Sequence, residues 1–245
     1  MNYIFWHCSS LTSLNLSNFD TSQVTDMSSM FYDCSSLTSL DLSNFNTSQV
    51  TIMEEMFSGS SSLIYLNLTN FNTSQVNDMD SMFNGCSSIT LLDLSFFDTS
   101  KRTRMNSIFC HCSSLTSLNL AYFVTSQVTD MGYMFSECSS LTSLNLSSFD
   151  TSKVSRMDRM FYGCSSLTSL NFSNFDTSEV IDMNSMFHDC TNLGYINLDF
   201  DLTKYNDIFN NLPDNIVICA NEKDTEIQIK SICYNIDCTN DWKSA

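Results

Sequence analysis

A fixed 26-residue period runs through most of this chain. Phe31 recurs as Phe5, Phe57, Phe83, Phe109, Phe135, Phe161 and Phe187 without one insertion or deletion between copies. A constant period in this range identifies a repeat architecture, in which each unit contacts only its neighbours. Eight units begin at Met1, Met27, Met53, Met79, Met105, Met131, Met157 and Met183, and the last loses the pattern after Asp199. Residues 1–198 read as one elongated body and 199–245 as the region that closes its apolar end.

Two periodicities share each unit. Met27, Met30, Phe31 and Cys34 follow the i, i+3, i+4, i+7 spacing of one helical face, which predicts a short helix. Thr25 or Asp26 stands where an N-cap belongs, and Thr51-x-x-Glu54 reads as a capping box. Leu37-x-x-Leu40-x-Leu42 then changes to alternation, the mark of a short strand with one buried face. The stretch 43–51 reads as a loop that turns Phe45 and Val50 inward. A helix of two turns would not hold alone, so stacking on neighbouring units must stabilise each one.

The strand pattern LxxLxLxxF resembles the leucine-rich-repeat signature, with Phe45 where Asn is usual. With MxxMFxxC in front of it, the unit resembles the 26-residue repeat of BspA-like leucine-rich-repeat surface proteins over about residues 1–198. The resemblance implies an α/β solenoid with a curved, concave parallel sheet and one short helix per repeat on the other side. It implies extracellular or cell-surface display, an adhesive role, and no catalytic motif. The lost Asn would have tied down the loop after the strand. Thr21, Thr47, Thr73, Thr99, Thr125, Thr151 and Thr177, each followed by Ser, are placed to take over that tie.

Composition narrows the partners. Five Gly and one Pro leave Asn, Asp, Ser and Thr to build the turns. A formal charge of −17 repels nucleic acid and anionic membranes. No apolar run is long enough to insert into a bilayer. No secretory leader is visible. Met1 falls one period before Met27 and fits a repeat position as well as a translation start. On the first reading, which the missing N-terminal cap favours, the chain is a fragment.

Four constellations carry the candidate chemistry. Asn15, Asp41, Asn67, Asp93, Asn119, Asn145, Asn171 and Asn197 form an outward row on the strands. That row reads either as a groove for protein or glycan or as an amide ladder bonding rung to rung. Tyr65, Leu91 and Leu92 interrupt it around units three and four, and Tyr195 recurs in the slot of Tyr65. Lys101, Arg102, Arg104, Lys153, Arg156 and Arg159 form a candidate basic patch, either for an anionic sugar or to neutralise acidic neighbours such as Asp130. Arg102 takes the place of an inward Val.

Cys8, Cys34, Cys86, Cys112, Cys138, Cys164 and Cys190 share one column, with Ser60 filling it in unit three. A column spreads one thiol per rung along a line and so builds no metal site; small buried filler is the plainer reading. Cys219, Cys233 and Cys238 break register and are the candidates for a disulfide in the terminal region. The sequons at Asn15, Asn46, Asn67, Asn72, Asn145 and Asn171 follow from a repeat rich in Asn, Ser and Thr. His7, His111 and His188 share no fixed Ser or Asp, so neither a catalytic site nor a cofactor is expected.

The sequence therefore predicts a non-enzymatic interaction module. Its partner would be a protein or glycan on a host, a matrix or a neighbouring cell. The alternative is a structural spacer or fibre component assembled through the solenoid ends.

Overall fold

A computed structural model describes residues 1–198, 207–214, 216–220 and 232–234. The chain winds as a stack of rungs, each side chain column facing its own equivalent one unit on. Leu40, Leu66, Leu92, Leu118, Leu170 and Ile196 point inward from six short parallel strands. These are β1 (Ser39–Asp41), β2 (Tyr65–Asn67), β3 (Leu91–Leu92), β4 (Ser117–Leu118), β5 (Ser169–Phe172) and β6 (Tyr195–Leu198). Two more, β7 (Val217–Ala220) and β8 (Ile232–Tyr234), continue the sheet beyond the regular repeats. The strands pair as β1-β2, β3-β4 and β5-β6-β7-β8, so the sheet is interrupted twice.

The MxxMF segment is not a helix, and no helix occurs among the described residues. Its N–H groups alternate between two destinations. Met27, Ser29, Phe31 and Asp33 donate to Ile52, Glu54, Met56 and Ser58, carbonyls of the next rung, at 2.7–3.0 Å. Met30, Tyr32 and Cys34 donate back to Met27, Ser29 and Phe31 at 3.2–3.3 Å. Each i→i−3 bond closes one tight turn and a left-handed residue then re-aims the chain: Ser29 has φ 49° and Asp33 φ 53°. Gly59, Gly85 and Gly163 fill the second of these slots at φ 69–73°, where lack of a Cβ removes the strain. The turn ladder places residues i, i+3, i+4 and i+7 inward just as a helix would. It differs in sending half its donors to a neighbour, which a two-turn helix standing alone cannot do.

Apolar columns fill the space between ladder and strands. The repeating Phe rings, from Phe5 to Phe187 and on to Phe209, stack with centroids 5.4–5.9 Å apart and planes within 19°. Met27, Met30 and their equivalents are buried beside them. Phe209 and Ile208 belong to a ninth rung that the sequence conceals. Phe187 donates to Ile208, and β7 sets Val217 opposite Tyr195, so the period has shortened from 26 to 22 residues. The strand expected at 216–219 is β7; the helix expected at 222–232 falls largely outside the described residues.

The threonine column makes the tie the missing Asn left vacant. Thr47 Oγ1 donates to the Asn72 carbonyl at 3.0 Å and accepts the Asn72 N–H at 2.7 Å. Thr21, Thr73, Thr99 and Thr125 repeat this double bond one rung at a time, and all are buried. Replacing Thr99 by Val keeps shape but strands both backbone groups of Val124. It should cost about 1–3 kcal/mol in urea unfolding, whereas Thr99→Ser should lose less than half of that; equal losses would show that the methyl, not the hydroxyl, matters.

Candidate functional site

The outward row on the strands is built from the backbone. Asn15, Asp41, Asn67, Asp93, Asn119, Asn145 and Asn171 each use Oδ1 to accept the N–H two residues on, at 2.9–3.2 Å. This is an Asx turn, and it ends the extended segment. The bonds from Ser43 and Ser95 hold the carboxyls of Asp41 and Asp93 below the usual range. The expected amide ladder is present at one step among the described residues, Asn67 Nδ2 to Asp41 Oδ1 at 3.0 Å. Asn197 lies half-buried in β6.

Among the described residues, two grooves on this face gather members of the row. The larger, about 450 Å³, runs across units six to eight and brings together Asn145, Asn171 and Tyr195 of the predicted row. The smaller, about 330 Å³, gathers Asn15 and Asp41 in units one and two. Unit six contributes no strand, and Leu144 is only partly buried there, which opens the larger groove.

Units three to five depart in another way. Tyr65 and Leu91 occupy successive rungs of one outward slot and are 56% and 69% exposed, with Ile64 beside Tyr65 at 62%. Leu92, grouped with them from sequence, points inward and belongs to the core. Phe96 and Tyr122 were not singled out by sequence reasoning. They stand where Asn44, Asn70 and Asn174 bond the strand end of the preceding rung or the loop just after it. Their signal was a pair of aromatics breaking an Asn/Ser column.

With the geometry in place, comparison with known proteins becomes informative. Residues 1–91 and 86–205 match the family described as Mycoplasma protein of unknown function, DUF285. The chain belongs to this family. Among curated proteins none matches. The solved structures similar in part include the following three. A leucine-rich-repeat protein of T. pallidum is 22% identical, over 72% of this chain and 75% of its own, with a TM-score of 0.47. One from Bacteroides ovatus is 18% identical over 90% and 65%, TM-score 0.37. A leucine-rich cell surface protein of Faecalibacterium prausnitzii is 15% identical over 86% and 76%, TM-score 0.33. At these scores none bears on what a member of this family binds.

In this family member the candidate basic residues are engaged internally. Arg104 bonds Asp80 at 2.8 Å, and burial pushes the Asp80 carboxyl up to about 6. Arg156 bridges Asp130 at 3.3 Å and Asp158 at 2.9 Å, the neutralising arrangement weighed for the patch. Lys101 and Lys153 donate to Gln75 and Gln127, and Arg159 lies over the Tyr133 ring at 5.3 Å. The six therefore form separate local contacts along the rungs.

Arg102 differs from the rest. It is fully buried in the Val column, bonded to the carbonyls of Thr73 and Asp98, with Nε and one terminal nitrogen unpartnered. Desolvation pulls its guanidinium down to about 10. Val fills this slot at Val76 and Val128 without exposure. Arg102→Val should therefore stabilise the chain by about 1–4 kcal/mol in chemical unfolding; a loss would mean the charge has a partner that offsets its burial.

The cysteine column is a donor column as well as filler. Cys34, Cys86, Cys112, Cys138, Cys164 and Cys190 each point Sγ at the carbonyl of the Phe 29 residues earlier, at 3.0–3.2 Å. Ser60 makes the same bond at 2.8 Å, which explains a hydroxyl at full burial. The candidates Cys219, Cys233 and Cys238 have side chains outside those described. Among the described residues no group of three or more His, Cys, Asp and Glu could hold a metal. His7 does pair with Asp33 of the next rung at 2.7 Å, both at left-handed turn positions, and His188 lies 3.0 Å from its chain neighbour Asp189.

Burial pushes these thiols up, to about 11 at Cys34, about 12 at Cys86 and Cys190, and well above 9 at Cys112, Cys138 and Cys164. Unfolded thiols ionise near pH 8.5. Above that pH the unfolded chain holds fewer protons than the folded one, so stability falls as pH rises. The slope should be about 1.4 kcal/mol per pH unit for each such thiol. Unfolding midpoints measured from pH 7 to 10.5 should drop steeply above pH 9, and a flat profile would contradict the buried column. At pH 8 a thiol reagent should reach these cysteines only after urea is added.

Proposed function

We propose that this chain is a non-enzymatic interaction module, displayed at a cell surface or secreted, that binds a protein or glycan through its strand face. The observation that carries the reading is the contrast between framework and departures. Ladder, Thr and Cys columns are consumed by bonds within the stack. Ile64, Tyr65, Leu91, Phe96 and Tyr122 instead expose large apolar surface on three consecutive units. Contiguous exposed apolar side chains mark interaction surfaces, and Tyr is prominent among residues that dominate binding energy. The resemblance to BspA-like surface proteins supports surface display and adhesion. No helix among the described residues is long and apolar enough to cross a membrane.

Restoring the repeat's own residues tests the reading without touching the core. Tyr65→Ser, Leu91→Ser, Phe96→Asn and Tyr122→Asn together should lower retention on cultured host cells at least tenfold. Their urea midpoint should match or exceed that of the unmodified chain, because Asn regains the tie across rungs. Unchanged retention would overturn the assignment of binding to these units.

A further inference from the structure

We propose that the groove across units six to eight binds a neutral saccharide, and that a weaker copy of the same site lies five rungs earlier. This rests on the reading of the strand face as an interaction surface and names the ligand class for its larger groove.

The groove is uncharged on a chain of net charge −17. Its polar groups come from three serines (Ser143, Ser147 and Ser169) and from Asn145, Asn171 and Asn174, with Tyr195 at one side. Their hydrogen-bonding capacity is already sorted. Asn145 and Asn171 spend Oδ1 on the N–H groups of Ser147 and Ser173, at 3.0 Å each, which leaves both Nδ2 groups as donors. Asn174 spends Nδ2 on the carbonyls of Leu146 and Phe149, at 3.3 and 3.0 Å, which leaves Oδ1 as an acceptor. The three Ser hydroxyls can donate or accept.

Donors and an acceptor side by side match vicinal hydroxyls, each of which donates once and accepts twice. Half-buried Tyr195 brings an aromatic side chain to the edge of the groove, the kind of group on which the C–H face of a pyranose packs. Other ligand classes fit worse. An anionic sugar would find no cation in the groove and a repelling surface around it. An apolar peptide side chain would leave the amide groups buried without partners, which is costly.

The recurrence is an independent observation. The smaller groove is lined by Asn15, Ser17, Asp41 and Asn44, the positions equivalent to Asn145, Ser147, Asn171 and Asn174 five units on. Tyr occupies the outward strand slot twice in the regular units, at Tyr65 and Tyr195, and these too are five units apart. The earlier site carries Asp41 in place of Asn171. Its Oδ1 accepts from both Ser43 and Asn67, so the acid offers no outward amide donor. At about 4.8 Å per rung, the two sites stand about 24 Å apart, within reach of one polysaccharide, which would gain from engaging both.

The test uses the full chain on immobilised dextran, mannan, galactan and β-glucan, with heparin, collagen and laminin alongside. The account predicts retention on at least one neutral polysaccharide and none on heparin. Tyr195→Ala should weaken that binding at least tenfold and Tyr65→Ala two- to threefold, with Tyr195→Phe close to unmodified. Asn171→Asp keeps the bond to Ser173 but removes the donor, and should also weaken binding at least tenfold. Binding to collagen or laminin alone would overturn the saccharide assignment while leaving the interaction module intact. So would polysaccharide binding that Tyr195→Ala and Asn171→Asp leave unchanged. Silence on every surface would count against both.

Discussion

The structure depends on one bond made over and over: the Phe N–H of each rung donating to a carbonyl one rung ahead. Phe5, Phe31, Phe57, Phe83, Phe109, Phe135 and Phe161 make it at 2.9–3.0 Å, always to the residue 25 positions on. A constant offset keeps equivalent atoms in register, so every column acquires a single chemistry. Phe carbonyls meet the next rung's thiol, Thr hydroxyls meet the next rung's backbone, and the Phe rings lie face to face. One inserted residue would displace every column at once. That is a sufficient physical reason for the period to hold without a break over the regular units.

Much of this was legible in the sequence because columns are linear patterns. The period, the inward Leu, Phe and Met positions and the short strands follow from residue spacing, and their parallel pairing is what the leucine-rich-repeat resemblance implies. The threonine tie could be inferred because a missing Asn left a backbone group to satisfy, and Thr21 through Thr177 were the polar residues in reach. The helix was misread for an equally physical reason. The spacing of Met27, Met30, Phe31 and Cys34 is shared by a helical face and by a chain of i→i−3 turns with left-handed breaks. Only the backbone φ of Ser29 and Asp33 separates the two, and Ser and Asp do not announce a positive φ as Gly59 does.

The remaining misses concern departures from the repeat. The ninth rung was hidden by its shortened period, although Phe209 stacks on Phe187 as regularly as any earlier ring. Phe96 and Tyr122 were passed over because apolar residues in a repeat suggest core, yet they are more than half exposed. Of the candidate row, the structure gathers Asn145, Asn171 and Tyr195 into one groove and Asn15 and Asp41 into another, and leaves Asn67, Asp93, Asn119, Asn197 and Tyr65 outside both. The basic patch dissolves into separate contacts because each member is taken up by a neighbour on its own or the preceding rung, Arg104 by Asp80, Arg156 by Asp130 and Asp158, Lys101 and Lys153 by Gln75 and Gln127. Most of what repeats is spent on stacking, while four departures from the repeat, Tyr65, Leu91, Phe96 and Tyr122, face outward.

The claim at the centre of this account is that the MxxMF backbone bonds across rungs and not along a helix. A long-range carbonyl-detected NMR experiment reads hydrogen bonds directly, through the coupling they transmit between nitrogen and carbonyl carbon. The account predicts a cross-peak from the Phe109 amide nitrogen to the Met134 carbonyl, which lie in the bonded arrangement at 3.0 Å. A cross-peak from Phe109 to the carbonyl of Met105, four residues back, would restore the helix and contradict the ladder on which every column depends.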